Sequence, residues 1–197
     1  MDKLAAVIDV DGVMYDFVGE LARVASIHLR KDISCFPPAE VWNFFSDQWG
    51  ISFDTYKELV DVGVAKYGLI RYGDEFKDSS RGVATLLECG VKVHIATDLG
   101  KDGDENGHRR ARLAWLEDIG VDLDEVLVTF TPDKAQVARV YLDQGYDVFA
   151  LEDKAENYAA LEEAGALCYL LDQKWNHFVA GARRVNSVLE FAQLVVN

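Results

Sequence analysis

Basic residues are scarce in this chain of 197 residues: 20 lysines and arginines stand against 34 aspartates and glutamates, a formal net charge of −14. That balance repels DNA, RNA and anionic membrane surfaces, so neither a nucleic-acid polymer nor a membrane is expected as a partner. It leaves room for a small phosphorylated ligand held locally by a metal, a lysine and backbone N–H groups. Prolines number only 3 in a chain that is 50% hydrophobic, which argues against long disorder. The 3 cysteines, Cys35, Cys89 and Cys168, lack metal-ligand spacing and form an odd set. They read as reduced, mostly buried thiols of a cytoplasmic protein. No uncharged apolar run reaches membrane-spanning length, and no apolar leader precedes a cleavage site. The expectation is a soluble, cytoplasmic chain, monomeric or homodimeric, with one domain or a core domain carrying an insertion.

The stretch Val7-Ile8-Asp9-Val10-Asp11-Gly12-Val13 organises the rest. Its lead-in, Leu4 to Ile8, is short and apolar and is closed by a glycine turn, the pattern of a buried strand. Beyond it stand Asp9 and Asp11, on one side of an extended backbone that Gly12 then lets turn. Two acids held close repel each other unless a cation lies between them or one keeps a proton. The pair therefore points to a divalent metal, to a nucleophile with its acid/base partner, or to both.

A helix is predicted from Asp16 to about Lys31, with Phe17, Leu21, Val24, Ala25 and His28 on one stripe. Pro37-Pro38 interrupts, and a short helix is predicted over Ala39 to Phe45. A third, capped by Ser52, runs to Lys66 with Phe53, Tyr56, Val60 and Val64 on one face. From Ser79 helices and strands alternate: helix Ser80 to Cys89, strand Val91 to Ala96, a helix ending at Ile119, strand Val126 to Phe130. Thr131-Pro132 then serves as cap and first-turn pair for helix Asp133 to Gln144. Strand Val148 to Leu151, helix Lys154 to Ala164, strand Ala166 to Leu171 and a helix from about Asn186 complete the chain. This rhythm predicts an α/β fold with a doubly wound parallel sheet. From Asp11 to Thr97 is 86 positions, far more than one crossover requires. Residues 14–76 are therefore expected to form a small helical cap inserted into an α/β core of residues 1–13 and 77–197.

In an open parallel sheet the strand C-termini share one edge, where ligands bind. Asp9, Asp11, Thr97, Lys134, Glu152 and Asp153 all stand just beyond predicted strands and should converge there. Carboxylates for a hard cation, a hydroxyl and a lysine for phosphate oxygens, and a free carboxylate to attack phosphorus suit phosphoryl transfer. The cap aromatics should mostly form its own core, with Phe17 and one of Trp42, Phe44 and Phe45 facing the cleft as candidates to stack on a nucleobase. His94 reads as a satisfied core residue, and the charges of the later helices read as a solvated face. Trp175-Asn176 follows the last predicted strand, at the border of the site or in surface packing.

The set Asp9-Val10-Asp11-Gly12-Val13, Thr97, Lys134 and Glu152-Asp153 resembles the four motifs of the haloacid dehalogenase superfamily of phosphatases. Asp16-Phe17, Asp133-Lys134, Leu171 to Asn176 and Arg184-Val185-Asn186-Ser187 extend the resemblance to the 5′(3′)-deoxyribonucleotidases. The resemblance implies that Asp9 is the nucleophile and forms an aspartyl-phosphate, and that Asp11 is the general acid and base. It implies Mg²⁺ on the Asp9 carboxylate, the Asp11 carbonyl and Asp153, with Glu152 close by or bound through water. Thr97 and Lys134 would hold the phosphoryl oxygens of a (deoxy)nucleoside monophosphate. Asp98 joins them beside the phosphate, where the nucleotidases place a small hydroxyl residue, and the acidic loop from Asp98 to His108 is unlike a tight nucleotide-binding turn. A sugar phosphate, a polynucleotide end and a non-catalytic binding module of the same fold are the alternatives.

Overall fold

A computed structural model describes residues 3–98 and 107–197. Among them lie six strands in one sheet: β1 (Leu4–Ile8), β2 (Lys92–Thr97), β3 (Leu127–Phe130), β4 (Asp147–Glu152), β5 (Leu167–Leu171) and β6 (Arg184–Val185). Their spatial order is β3-β2-β1-β4-β5-β6, and every pairing is parallel. The chain leaves β1 toward β2 and β3 and later returns to β1's other side with β4, so the topological switch falls at β1. β6 was not predicted, because two residues carry no periodicity.

Eight α-helices among the described residues are α1 (Phe17–Leu29), α2 (Phe44–Asp47), α3 (Phe53–Val62), α4 (Ser79–Glu88), α5 (His108–Asp118), α6 (Lys134–Leu142), α7 (Ala155–Ala164) and α8 (Val188–Val196). Alternation along β1 explains how the sheet is covered on both faces. Ala6 and Ile8 join Val83, Leu86, Leu116 and Phe191 of α4, α5 and α8, whereas Ala5 and Val7 join Val137, Ala138 and Leu161 of α6 and α7. Strands apolar on both faces are the mark of a buried parallel sheet. Gly82 lets α4 and α8 touch: a Cβ there would lie 2.5 Å from the Val188 carbonyl carbon.

The segment between β1 and α4 adds no strand to the sheet. Leu21, Val24, Ala25, Phe36, Phe44, Trp49, Leu59 and Leu69 form a separate apolar cluster, while Met14 and Tyr15 pack with the sheet core. The short helix starts at Phe44, not Ala39. After Pro37-Pro38 the Gln48 side chain accepts from the N–H groups of Glu40 (2.7 Å) and Val41 (3.3 Å), so those donors are satisfied outside a helix. α6 likewise begins later than Thr131-Pro132 implied. Asp133 is its cap, accepting from Gln136 N at 2.9 Å, and Lys134 is its first helical residue. Cys35 and Cys89 are exposed and only Cys168 is buried, contrary to the expectation of mostly buried thiols. Cys35 ends a surface 3-10 turn and Cys89 follows the last residue of α4, both at helical ends that face solvent.

Candidate active site

Asp9 directly follows β1, and its N–H donates to Leu151 O at 3.0 Å, which carries the strand pairing one step past the assigned strand. The chain then turns tightly, with the N–H groups of Val13, Met14 and Tyr15 all directed at Val10 O, at 3.1, 2.8 and 2.9 Å. Gly12 has φ +82°, and a Cβ on it would fall 2.1 Å from Asp153 Oδ2. The glycine is required twice, by its backbone and by the carboxylate that occupies the space.

At the same edge β4 delivers Glu152 and Asp153. Ligand oxygens of Asp9, Glu152 and Asp153, all buried, lie within 4.8 Å of one another. Lys134, 4% exposed, reaches Asp9 Oδ2 at 2.7 Å and also pairs with Glu152 Oε1. Glu152 further accepts from Asn157 Nδ2 at 3.1 Å and from the N–H groups of Asp153 and Lys154 at 3.2 and 3.3 Å. Asp153 accepts from Trp175 Nε1 at 3.1 Å, and its carbonyl accepts from Asn176 Nδ2 at 2.9 Å. Asn176 is held in turn by Arg184, and Gln173 Nε2 donates to Gly12 O at 3.0 Å. The residues from Gln173 to Asn176 thus clamp the two acidic loops together.

The electrostatics follow from burial. Removal from water, reinforced by the charge of Asp9, pushes Glu152 up to about 7 and raises Asp153 well above the carboxylate range. Burial works against the Lys134 ammonium, but Asp9 and Glu152 outweigh it and the net shift is upward. Three carboxylates face a single ammonium, and all three offer hard oxygen donors. The set fits a divalent cation of the Mg²⁺ or Ca²⁺ kind.

The Asp11 carboxylate stands apart from this cluster. Its side chain is 25% exposed and its partner is Arg112, in α5. Burial raises its pKa, opposed by the guanidinium. Asp11 therefore offers no carboxylate to the cation cluster, and its part in holding a metal is left to its backbone carbonyl, the atom the resemblance implies. Arg112 itself is fully buried, an exception on a helix whose other charged residues, Arg109, Arg110, Glu117 and Asp118, are exposed as expected of a solvated face. It was hidden in the run Arg109-Arg110-Ala111-Arg112, whose composition reads as surface.

A cavity of about 940 Å³ opens over the cluster. Asp9, Asp11, Gly12, Lys134 and Asp153 line it from the sheet edge, and Asp98 and Pro132 flank them. Phe17, Trp42, Phe44, Phe45, Phe53 and Tyr56 line it from the helical segment. Phe45 stacks on Tyr56 at 4.6 Å between ring centroids, and the Lys154 ammonium sits 5.2 Å from the Trp42 ring. Phe44 is mostly core, 8% exposed, while Trp42 is 45% exposed. Thr97 and Glu152 do not line the cavity. Thr97 is the last residue of β2, and its hydroxyl oxygen is buried without a partner among the described residues. Asn157 was not singled out from sequence, since it sits in an ordinary helical pattern, and Tyr56 was read as a helix-face residue of the cap's own core rather than of the cleft. The acidic loop after Asp98 lies outside the described residues up to position 106. His94 is a core residue, its ring nitrogens 3.1 Å from Tyr141 OH and 2.7 Å from Thr129 Oγ1.

A parallel sheet in the order β3-β2-β1-β4-β5-β6 with its switch at β1 is the fold of the haloacid dehalogenase-type hydrolases, and solved structures with that fold superpose over nearly the whole chain. A hydrolase of this class from Deinococcus radiodurans R1, solved with bound phosphate and sodium, matches with a TM-score of 0.65 at 16% identity, covering 98% of this chain and 97% of its own. A dehalogenase solved in an intermediate complex matches with a TM-score of 0.62 at 16% identity, covering 100% of this chain and 99% of its own. In sequence, a candidate 5′(3′)-deoxyribonucleotidase from Chlorobaculum tepidum is 23% identical over 188 residues, 89% of this chain and 82% of that protein. No protein-family model matches the chain.

Proposed function

We propose that this chain is a Mg²⁺-dependent phosphomonoester hydrolase whose substrate is a small (deoxy)nucleoside monophosphate. The observation that carries the proposal is the joining of Asp9, Lys134, Glu152 and Asp153 beneath a cavity walled by aromatic rings. The likeness to the Chlorobaculum protein supports the nucleotide, and the phosphate bound to the Deinococcus hydrolase supports the phosphoryl chemistry.

In this reading an Asp9 carboxylate oxygen attacks phosphorus, the bond to the substrate oxygen breaks, and Asp11 gives its proton to the departing alkoxide. Asp11 then takes a proton from water, whose oxygen attacks the phosphorus of the aspartyl-phosphate and releases phosphate and free Asp9. Asp9 and Asp153 would hold Mg²⁺, with Glu152 beside them. Bound there, the cation would offset the negative charge of the phosphoryl group. Lys134 would neutralise a phosphoryl oxygen and keep Asp9 aimed, while the buried, unpartnered Thr97 hydroxyl would hold another. The acid and base at Asp11 separates this reading from a dehalogenase, which needs no proton donor for a halide. Residues 14–76 would act as a cap and present Phe17, Trp42 and Phe45 to a base.

The test is phosphate release from nucleoside 5′- and 3′-monophosphates, deoxy and ribo, and from sugar phosphates, with and without Mg²⁺. Metal-dependent release from nucleotides that vanishes in Asp9→Asn is the expected result. Hydrolysis that survives Asp9→Asn would remove the mechanism, and release from sugar phosphates alone would remove the substrate.

A further inference from the structure

We propose that Arg112 is a positioning residue that fixes the Asp11 carboxylate in the orientation from which it exchanges protons with the leaving group and the attacking water. The proposal rests on the phosphohydrolase reading above. Arg112 lies one turn into α5, fully buried, and its Nη2 donates to Asp11 Oδ1. Its guanidinium carbon lies 4.5 Å from the Tyr15 ring centroid and 5.3 Å from that of Trp115. Those two rings meet edge to face at 4.9 Å. The planar fork is therefore held against aromatic walls, and among the described residues only the edge that meets Asp11 has a carboxylate.

The cost of the arrangement points to a use. Arg112 Nε and Nη1 are buried and have no hydrogen-bond partner among the described residues. A buried cation with unmet donors destabilises a fold, and an apolar side chain of similar volume would serve packing better. What the arginine adds is a fixed contact to one oxygen of a carboxylate that also faces the cavity.

The surroundings hold that contact rigid. Gly12 N donates to Tyr15 O at 3.0 Å, so the ring that supports Arg112 belongs to the same turn as Asp11. The Tyr15 hydroxyl accepts from Ile70 N at 2.9 Å, and Trp115 Nε1 donates to Gly73 O at 2.9 Å. Asp11 is thus fixed at its backbone by the turn and at its carboxylate by α5.

The test compares wild type, Arg112→Met, Arg112→Lys, Asp11→Asn and the Arg112→Met/Asp11→Asn double variant, all with Mg²⁺. The substrates are the alkyl phosphomonoester that the wild type hydrolyses fastest, and p-nitrophenyl phosphate, whose phenolate departs without a proton. The readout is kcat/KM, which reports the first phosphoryl transfer. A displaced acid should cost Arg112→Met about 10- to 100-fold on the alkyl ester and under about 3-fold on the aryl ester. The same change in the Asp11→Asn background should cost nothing further. Arg112→Lys keeps a cation but lacks the fork, so the same selective loss is expected from it, and it carries the test if circular dichroism shows the Met variant unfolded. Equal losses on both esters, or losses that add to those of Asp11→Asn, would overturn the proposal and leave the phosphohydrolase reading intact. A wild type that releases phosphate from neither ester would overturn both.

Discussion

Lys134 Nζ lies 2.7 Å from Asp9 Oδ2, with both side chains buried, so the first residue of α6 and the residue after β1 are joined across the sheet edge. A lysine at a helix start is poorly placed for the helix dipole. Its position is explained by the carboxylates it faces. Lys134→Met would leave Asp9, Glu152 and Asp153 without their ammonium. The expected destabilisation is about 3 to 5 kcal/mol, a fall in Tm of roughly 10 °C in chelator. Added Mg²⁺ should recover part of it, as thermal melts in the two buffers would show.

Glu152 and Asp153 make stability depend on pH in a direction unusual for carboxylates. Burial raises both, Glu152 from 4.5 to about 7, so the folded state holds these protons more tightly than the unfolded chain. The stability that Glu152 contributes in this way is complete below the ordinary carboxylate range and is lost as pH rises from about 4.5 to about 7. For Glu152 alone the loss is on the order of 3 kcal/mol. Chelator-treated protein should melt lower at pH 8 than at pH 5, and Mg²⁺ should raise Tm at pH 8 with little effect at pH 5. A metal response equal at both values would contradict this account.

Gly12→Ala separates stability from metal binding. The positive φ costs an alanine about 1 to 2 kcal/mol. The Cβ would meet the end of the Asp153 side chain, which can swing aside, so the fold survives. What is lost is the place of Asp153, and the Mg²⁺ concentration for half-maximal activity should rise by more than about 10-fold. A metal titration of the purified variant reads this directly.

Trp175→Phe keeps the ring and removes the N–H that reaches Asp153 Oδ2. Losing such a supporting donor should weaken metal affinity about 10- to 100-fold while kcat at saturating Mg²⁺ stays within a few-fold. Calorimetric titration with Mg²⁺ is the measurement.

Phe45→Ala removes half of the Phe45–Tyr56 stack in the cavity wall. If a base leans on this wall, KM for a nucleoside monophosphate should rise about 5- to 100-fold, the equivalent of one stacking contact. KM for ribose 5-phosphate should not change. Parallel kinetics on the two substrates distinguish base recognition from a general loosening.

The alternating sheet was readable because each strand is short, apolar and followed by a polar residue at one edge, so Asp9, Lys134 and Asp153 could be brought together from spacing alone. Arg112 could not, since its burial depends on Tyr15 arriving from another part of the chain to face it and Trp115 of its own helix. The late residues Trp175, Asn176 and Arg184 carried only short matches in sequence. Their meaning emerges in three dimensions, where Trp175 and Asn176 contact Asp153 and Arg184 holds Asn176, and no local pattern encodes this. The stretch from Ala39 to Asn43 misled for a different reason: its helix-compatible residues are overridden by the Gln48 side chain.

The chain leaves the sheet core and comes back through two segments that lie side by side. Phe76 N donates to Met14 O at 2.7 Å, Asp16 N to Asp74 O at 3.1 Å, and Tyr15 bridges Glu75 in antiparallel fashion. The intervening helices therefore hang from a closed ribbon, and lengthening them adds only a slowly growing loop-closure cost. Such a joint lets a lineage exchange the aromatic wall wholesale, or graft a different one, while the register of β1 and the spacing of its acids stay untouched.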